Sequence, residues 1–156
     1  MSKAFHVFLL CSVLSLPILG SSNAHAATFV AVGTGACLTD QFGNTANGNP
    51  TQALQCFGTF SQQWLWVGFA IQGIGTTAVG GKCVDVQGGG TADGTPVQLF
   101  DCNGTGAQQW NYNNGQIINV RSRKCLDIGD ATNGTRATIR TCNFNGGTFQ
   151  VWAIRN

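Results

Sequence analysis

Few side chains in this sequence can do acid, base or nucleophilic chemistry. The six acids are all aspartates, Asp40, Asp85, Asp93, Asp101, Asp127 and Asp130, and there is no glutamate. Both histidines, His6 and His25, lie at the N-terminal end, as does the single methionine, Met1. Beyond residue 26 the only serines are Ser61 and Ser122. A histidine-based triad or a histidine-ligated zinc site therefore cannot be built from the body of the chain. A pair of aspartates acting as acid and base is the one common hydrolytic chemistry left.

Cysteine is the other reactive type. Cys11 sits in an N-terminal stretch with the marks of a secretory signal: a basic start at Lys3, a largely apolar run from Val7 to Leu19, and a small-x-small site at Ala24-His25-Ala26. The apolar run is too short and too interrupted to span a membrane. Residues 1–26 are thus expected to be removed on export, leaving 27–156 as one secreted domain. Six cysteines then remain: Cys37, Cys56, Cys83, Cys102, Cys125 and Cys142. An even number in an exported chain implies a disulfide framework. Their spacing is too long for a CxxC redox motif or a zinc knuckle, so no metal and no cofactor is expected.

The elements that carry these residues repeat. The most complete unit runs from Lys82 to Trp110: Cys83-Val84-Asp85-Val86, a glycine-rich turn, Val97-Gln98-Leu99-Phe100, Cys102, and Gln108-Gln109-Trp110. The first copy has Cys37-Leu38-Thr39, then Leu54-Gln55-Cys56 and Gln62-Gln63-Trp64. The third has Cys125-Leu126-Asp127, then Arg140-Thr141-Cys142 and Gln150-Val151-Trp152. The tryptophans lie 46 and 42 positions apart. Each copy holds two cysteines at matching places, so the expected pairs are Cys37–Cys56, Cys83–Cys102 and Cys125–Cys142. Each loop closure is worth roughly 3 kcal/mol in the chain-entropy model.

Short apolar alternations bounded by Gly, Asn, Asp and Thr predict strands, such as Phe29–Val32, Val97–Phe100, Ile117–Val120 and Val151–Ile154. No stretch beyond the signal shows a capped helical period. The predicted class is all-β, in three repeats of about 28–70, 71–116 and 117–156. The N-terminal strand is expected to close against the last one.

Without Lys3, seven basic side chains stand against six acidic ones. That balance argues against nucleic acid or an anionic membrane as partner. Arg121, Arg123 and Lys124 form a small basic group, read as a solvated edge. Asn103-Gly104-Thr105 and Asn133-Gly134-Thr135 fit the N-glycosylation pattern and equally fit simple turns.

Three Q-x-W motifs, each behind a cysteine-bounded loop, resemble the ricin B-chain type β-trefoil lectins, also known as family 13 carbohydrate-binding modules. The resemblance covers about Thr28 to the end. It implies a β-trefoil of three pseudo-symmetric four-strand repeats with one disulfide per repeat, and Trp64, Trp110 and Trp152 in a shared core. It also implies a non-catalytic lectin whose partners are glycans or glycoproteins, with a galactose-type or similar sugar bound by carboxylate, amide and ring.

In repeat two the resemblance makes Asp85 the hydroxyl acceptor, Phe100 the stacking ring and Gln108 the support of Asp85. Asn103 is within reach of the sugar, and Gln98 is counted with the same site. Ala107 stands where an asparagine would add a contact. In repeat three Asp127 and Gln150 persist, but Arg140 replaces the aromatic, a weaker site open to closure by an Arg140–Asp127 pair. In repeat one Thr39 and Leu54 replace acid and ring, and Asp40 is one residue out of register, so that pocket is expected to be dead. Two alternatives remain: a protein-interaction or toxin-delivery subunit with decayed sugar sites, and an aspartate-pair glycosidase.

Overall fold

The computed structural model describes residues 25–79, 81–130, 132–145 and 148–156. The export segment, apart from its last two residues, lies outside the described residues. Twelve strands follow in order: β1 (Thr28–Ala31), β2 (Cys37–Asp40), β3 (Thr51–Leu54), β4 (Trp64–Val67), β5 (Ala70–Gly73), β6 (Lys82–Val86), β7 (Thr95–Asp101), β8 (Trp110–Asn113), β9 (Gln116–Asn119), β10 (Cys125–Asp127), β11 (Thr138–Arg140) and β12 (Trp152–Arg155). Short 3-10 turns are the only helical segments among the described residues. The chain is an all-β trefoil, four strands to a repeat.

Six strands close a barrel. β12 pairs with β1, β4 with β5 and β8 with β9, all antiparallel. The gaps are bridged at Ala27 and Trp64, at Gln116 and Val151, and by the Trp110 N–H donating to the Phe69 carbonyl at 2.8 Å. The N-terminal strand therefore meets the C-terminal one, as Thr28 facing Arg155 through Ala31 facing Trp152.

The other six strands form three hairpins, β2–β3, β6–β7 and β10–β11, that cap one barrel end. They are tied in a ring. Gly48 N–H donates to Leu99 O, Gly94 N–H to Ile139 O, and Gly134 N–H to Ala53 O, at 2.8, 2.8 and 2.7 Å. Backbone bonds thus link each repeat to the next, and every repeat is clamped by both neighbours.

Alternation along the strands puts one face inward. Leu38, Ala53, Val84, Val86, Val97, Leu99, Leu126 and Ile139 are buried in a common core with Trp64, Trp110 and Trp152. Each indole Nε1 donates to the carbonyl of the residue after the first cysteine of its repeat: Leu38 at 3.0 Å, Val84 at 2.9 Å and Leu126 at 3.1 Å. A fully buried indole contributes about 4–5 kcal/mol by area, and the bonded nitrogen removes the cost of burying a polar group.

The three disulfides join Cys37 to Cys56, Cys83 to Cys102 and Cys125 to Cys142. Each ties a hairpin to the loop that follows it. The sequence-predicted strands are present with ends displaced by one or two residues; Val32 and Val120, for example, fall in turns beyond β1 and β9.

Candidate functional site

The β6–β7 hairpin sets the geometry of repeat two. Asp85 faces Gln98, Cys83 faces Phe100, and Val84 faces Leu99. Since alternate residues share a face, Asp85, Gln98 and Phe100 look outward while Val84 and Leu99 enter the core. The 3-10 turn at Gly106–Gln108 folds over this outer face and is anchored by Trp110, two residues further on. Between them lies a cavity of about 300 Å3, lined by Asp85, Gly88, Gly89, Gln98, Phe100, Asn103, Thr105, Ala107 and Arg121.

Asp85 is 5 % exposed, and both of its oxygens are held. Gln98 Nε2 donates to Oδ1 at 3.0 Å and Gln108 Nε2 donates to Oδ2 at 3.1 Å. Burial pushes the Asp85 carboxyl above the usual aspartate range, against the two amide donors, which lower it. Two bonds use part of the carboxylate's acceptor capacity, so lone pairs remain for a ligand.

Gln108 is a three-way clamp. Besides Asp85, its Nε2 donates to the Asp101 carbonyl at 2.8 Å, and its Oε1 accepts from Asn103 N–H at 2.8 Å. Asn103 Oδ1 accepts from Thr105 N–H at 3.0 Å and from Thr105 Oγ1 at 2.8 Å, which closes the loop as an Asx turn. Its Nδ2 makes no bond among the described residues and is free to donate. Gly88 and Gly89 form part of the rim with φ of 61° and 63°, a left-handed backbone that glycine adopts without strain. Asp85 is the single carboxylate among the lining residues, so no aspartate pair meets there.

Repeat three keeps the clamp but fills the site. Gln150 Nε2 donates to Asp127 Oδ2 at 2.9 Å, and its Oε1 accepts from Asn143 N–H at 2.8 Å. Asp127 Oδ1 also accepts from Gly129 N–H at 2.7 Å, and Arg140 Nε lies 3.7 Å from the same oxygen. Arg140 faces Cys125, the place Phe100 holds opposite Cys83. The ring of repeat two is thus replaced by a cation paired with the acceptor.

Repeat one keeps the clamp without an acid. Gln62 Nε2 donates to Thr39 Oγ1 at 3.0 Å and to Gln55 O at 2.8 Å, while its Oε1 accepts from Phe57 N–H at 2.7 Å. Leu54 stands opposite Cys37. Asp40 is turned to the inner face, 2 % exposed, at the level of Val86 and Ile128 in the other repeats. Burial raises its pKa, opposed by bonds from Ser61 and from Gly43 N–H.

Arg121 and Arg123 are exposed, as expected of a solvated edge. Arg121, in the turn after β9 of repeat three, also lines the repeat-two cavity. Its neighbour Lys124 pairs instead with Asp93 at 2.5 Å. Arg121 and Thr105 were missed as lining residues because both lie outside the Cys-x-Asp and Q-x-W frames, and Arg121 comes from a different repeat. Asn133, the other glycosylation candidate, accepts from Gln55 N–H at 3.1 Å and so ties repeat three to repeat one.

Similar architectures occur among solved structures. A designed three-fold symmetric protein, ThreeFoil, superposes with a TM-score of 0.73 at 23% identity, over 84% of this chain and 98% of that one. The agglutinin from Abrus precatorius gives 0.71 at 24% identity, over 86% of this chain and 50% of that one. A non-toxic homologue of type II RIPs from Momordica charantia, solved in complex with α-methyl-D-galactoside, gives 0.72 at 22% identity, over 85% and 48%. The chain spans about half of each of the two plant proteins. At these identities the likeness establishes the fold. No match was found among curated proteins. A family model described as the ricin-type beta-trefoil lectin domain matches residues 25–152, and with the three Q-x-W clamps and three intra-repeat disulfides in place, the chain belongs to that family.

Proposed function

We propose that this protein is a secreted, non-catalytic lectin that binds a galactose-type or similar sugar through repeat two. The observation that carries the reading is the Asp85 carboxylate at the cavity floor, fixed by Gln98 and Gln108 and flanked by Phe100. A sugar presents paired hydroxyls to such a carboxylate and an apolar C–H face to such a ring, while a few placed polar groups fix its orientation. Asn103 Nδ2 is the further donor. Asp127, Arg140 and Gln150 form a secondary site that the Arg140–Asp127 pair holds shut. The galactoside in the Momordica charantia structure, and the GalNAc in that of the earthworm R-type lectin C-half, belong to those proteins and support the sugar class here.

The disulfides fit an oxidising compartment, which supports export with residues 1–26 removed and 27–156 as the lectin domain. One shallow site gives millimolar to sub-millimolar affinity, roughly −4 to −5.5 kcal/mol. A monomer is then expected to bind immobilised glycans but to agglutinate cells poorly.

A glycan array of residues 27–156 beside Asp85→Ala and Phe100→Ala tests the reading. Binding to galactose-type glycans, lost in both variants, is the expected result. Binding that survives both would move the site toward Asp127, and no binding with the disulfides intact would favour a protein partner.

A further inference from the structure

We infer that the repeat-two pocket is built for an acidic sugar, with Arg121 receiving the ligand's anionic group while Asp85 takes its hydroxyls. This rests on the sugar-binding reading above and deepens it. Arg121 lines the cavity together with Asp85 and Phe100. Its side chain is exposed and its guanidinium makes no hydrogen bond or ion pair with any described residue; the same holds for Arg123, Arg136 and Arg155, but of these four only Arg121 lines this cavity.

The backbone makes room for this side chain. A Cβ on Gly89 would come within 2.9 Å of Arg121 Nη1, and one on Gly106 within 3.1 Å of Arg121 Cβ. Glycine at both places leaves room for the arginine beside the cavity, and its charge is not spent on another described residue. Asp85 does not pair with it: the ion pairs among the described residues are Lys82–Asp101, Lys124–Asp93 and Arg140–Asp127.

The pocket therefore carries a carboxylate on its floor and an unpaired guanidinium on its rim. A neutral sugar leaves that cation without a partner. A uronic acid or a sulfated sugar places an anion against its planar fork of donors, a charge-assisted contact stronger than a neutral one. Asp85 repels the same anion, so the two charges fix which end of the sugar enters. Because Arg121 comes from repeat three, this specificity is absent from repeat two taken alone.

The test is calorimetric titration with methyl galactoside, galacturonic acid and galactose 6-sulfate at low and high salt. The wild-type protein is expected to bind the anionic sugars about tenfold tighter than the neutral one at low salt, with the margin shrinking as salt rises. A gain for both anions identifies a general anion contact, and a gain for galacturonic acid alone identifies planar carboxylate recognition. In Arg121→Gln the ratio is expected to fall to about one. Arg136→Ala, which removes the same charge away from the cavity, keeps it. Equal binding of neutral and acidic sugars by the wild type, or a preference that persists in Arg121→Gln, overturns this inference alone. Failure of all three sugars to bind overturns the lectin reading with it.

Discussion

Replacing Gln108 by alanine separates the structural from the ligand-directed work of the Q-x-W clamp. The side chain is 1 % exposed and makes three hydrogen bonds, to Asn103 N–H, the Asp101 carbonyl and the Asp85 carboxylate. Two neutral bonds contribute about 1 kcal/mol each and the charged one about 2, so the loss is about 4 kcal/mol. That is a large part of the 5–15 kcal/mol by which a domain is usually stable. Gln62→Ala removes four neutral bonds, to Phe57, Gly58, Thr39 and Gln55, and is expected to cost a similar amount. The two variants differ at the ligand. Gln108→Ala frees the Asn103 loop and one side of Asp85, and is expected to weaken sugar binding at least about tenfold. Gln62→Ala leaves the repeat-two pocket as it is. Urea unfolding followed by the fluorescence of the buried tryptophans gives the first quantity, and titration of the folded variants gives the second. Loss of stability below about 1 kcal/mol in Gln108→Ala, or equal loss of binding in folded Gln62→Ala, would refute the clamp argument.

Asp40→Val is expected to stabilise the domain by about 1 kcal/mol at neutral pH, since valine suits a site occupied by Val86 and Ile128 elsewhere and removes a buried carboxyl. The folded pKa of Asp40 is raised, so folding takes up protons there; the gain from the substitution should shrink as pH falls through that pKa, and a gain constant from pH 7 to pH 3 would count against a buried charge. In the proposed lectin, sugar binding requires ionised Asp85, whose pKa is also raised, so acid should abolish binding with a midpoint above the ordinary 3.8; a midpoint at or below that value in a pH titration contradicts the burial argument. Removing the Cys83–Cys102 bridge by a double Cys→Ser change should cost about 3 kcal/mol in urea unfolding, with the other two bridges intact by mass spectrometry; a cost near zero would argue against a loop-closure role.

What could be read from sequence was the inward half of the fold. Trp64, Trp110 and Trp152 recur because each must fill the core and place its Nε1 on a fixed carbonyl, and the cysteines recur because each pair spans the same hairpin. Such constraints repeat with the symmetry and so appear as period. The alternation Cys83-Val84-Asp85-Val86 also gave the side of the strand on which Asp85 stands, and it placed Asp40 on the other side. The path of Arg121 was not readable, because its approach depends on how repeat three packs on repeat two and on two glycines that leave it space. The strand ends were off by one or two residues where turns, rather than hydrophobic pattern, set the boundary.

The same partition explains how repeat one keeps its fold with Thr39 and Leu54 in place of acid and ring, and it makes that replacement reversible. Register is intact there: Cys37 faces Leu54 and Thr39 faces Gln52, as Cys83 faces Phe100 and Asp85 faces Gln98. Gln62 Nε2 already donates to the residue-39 side chain at 3.0 Å, as Gln108 donates to Asp85 at 3.1 Å. Thr39 is as buried as Asp85, 4 % against 5 % exposed, so a carboxylate would meet the same desolvation, with the Gln62 amide donor in place and Gln52 opposite in register. Thr39→Asp together with Leu54→Phe should therefore rebuild an acceptor and a ring on an existing frame. Calorimetry with a neutral galactoside should then report two sites per chain in place of one. An unchanged single site in a variant that unfolds as cooperatively as the wild type would show that acid, ring and clamp are insufficient, and that the left-handed Phe42 at the level of Gly88 (φ 58° against 61°) closes the rim.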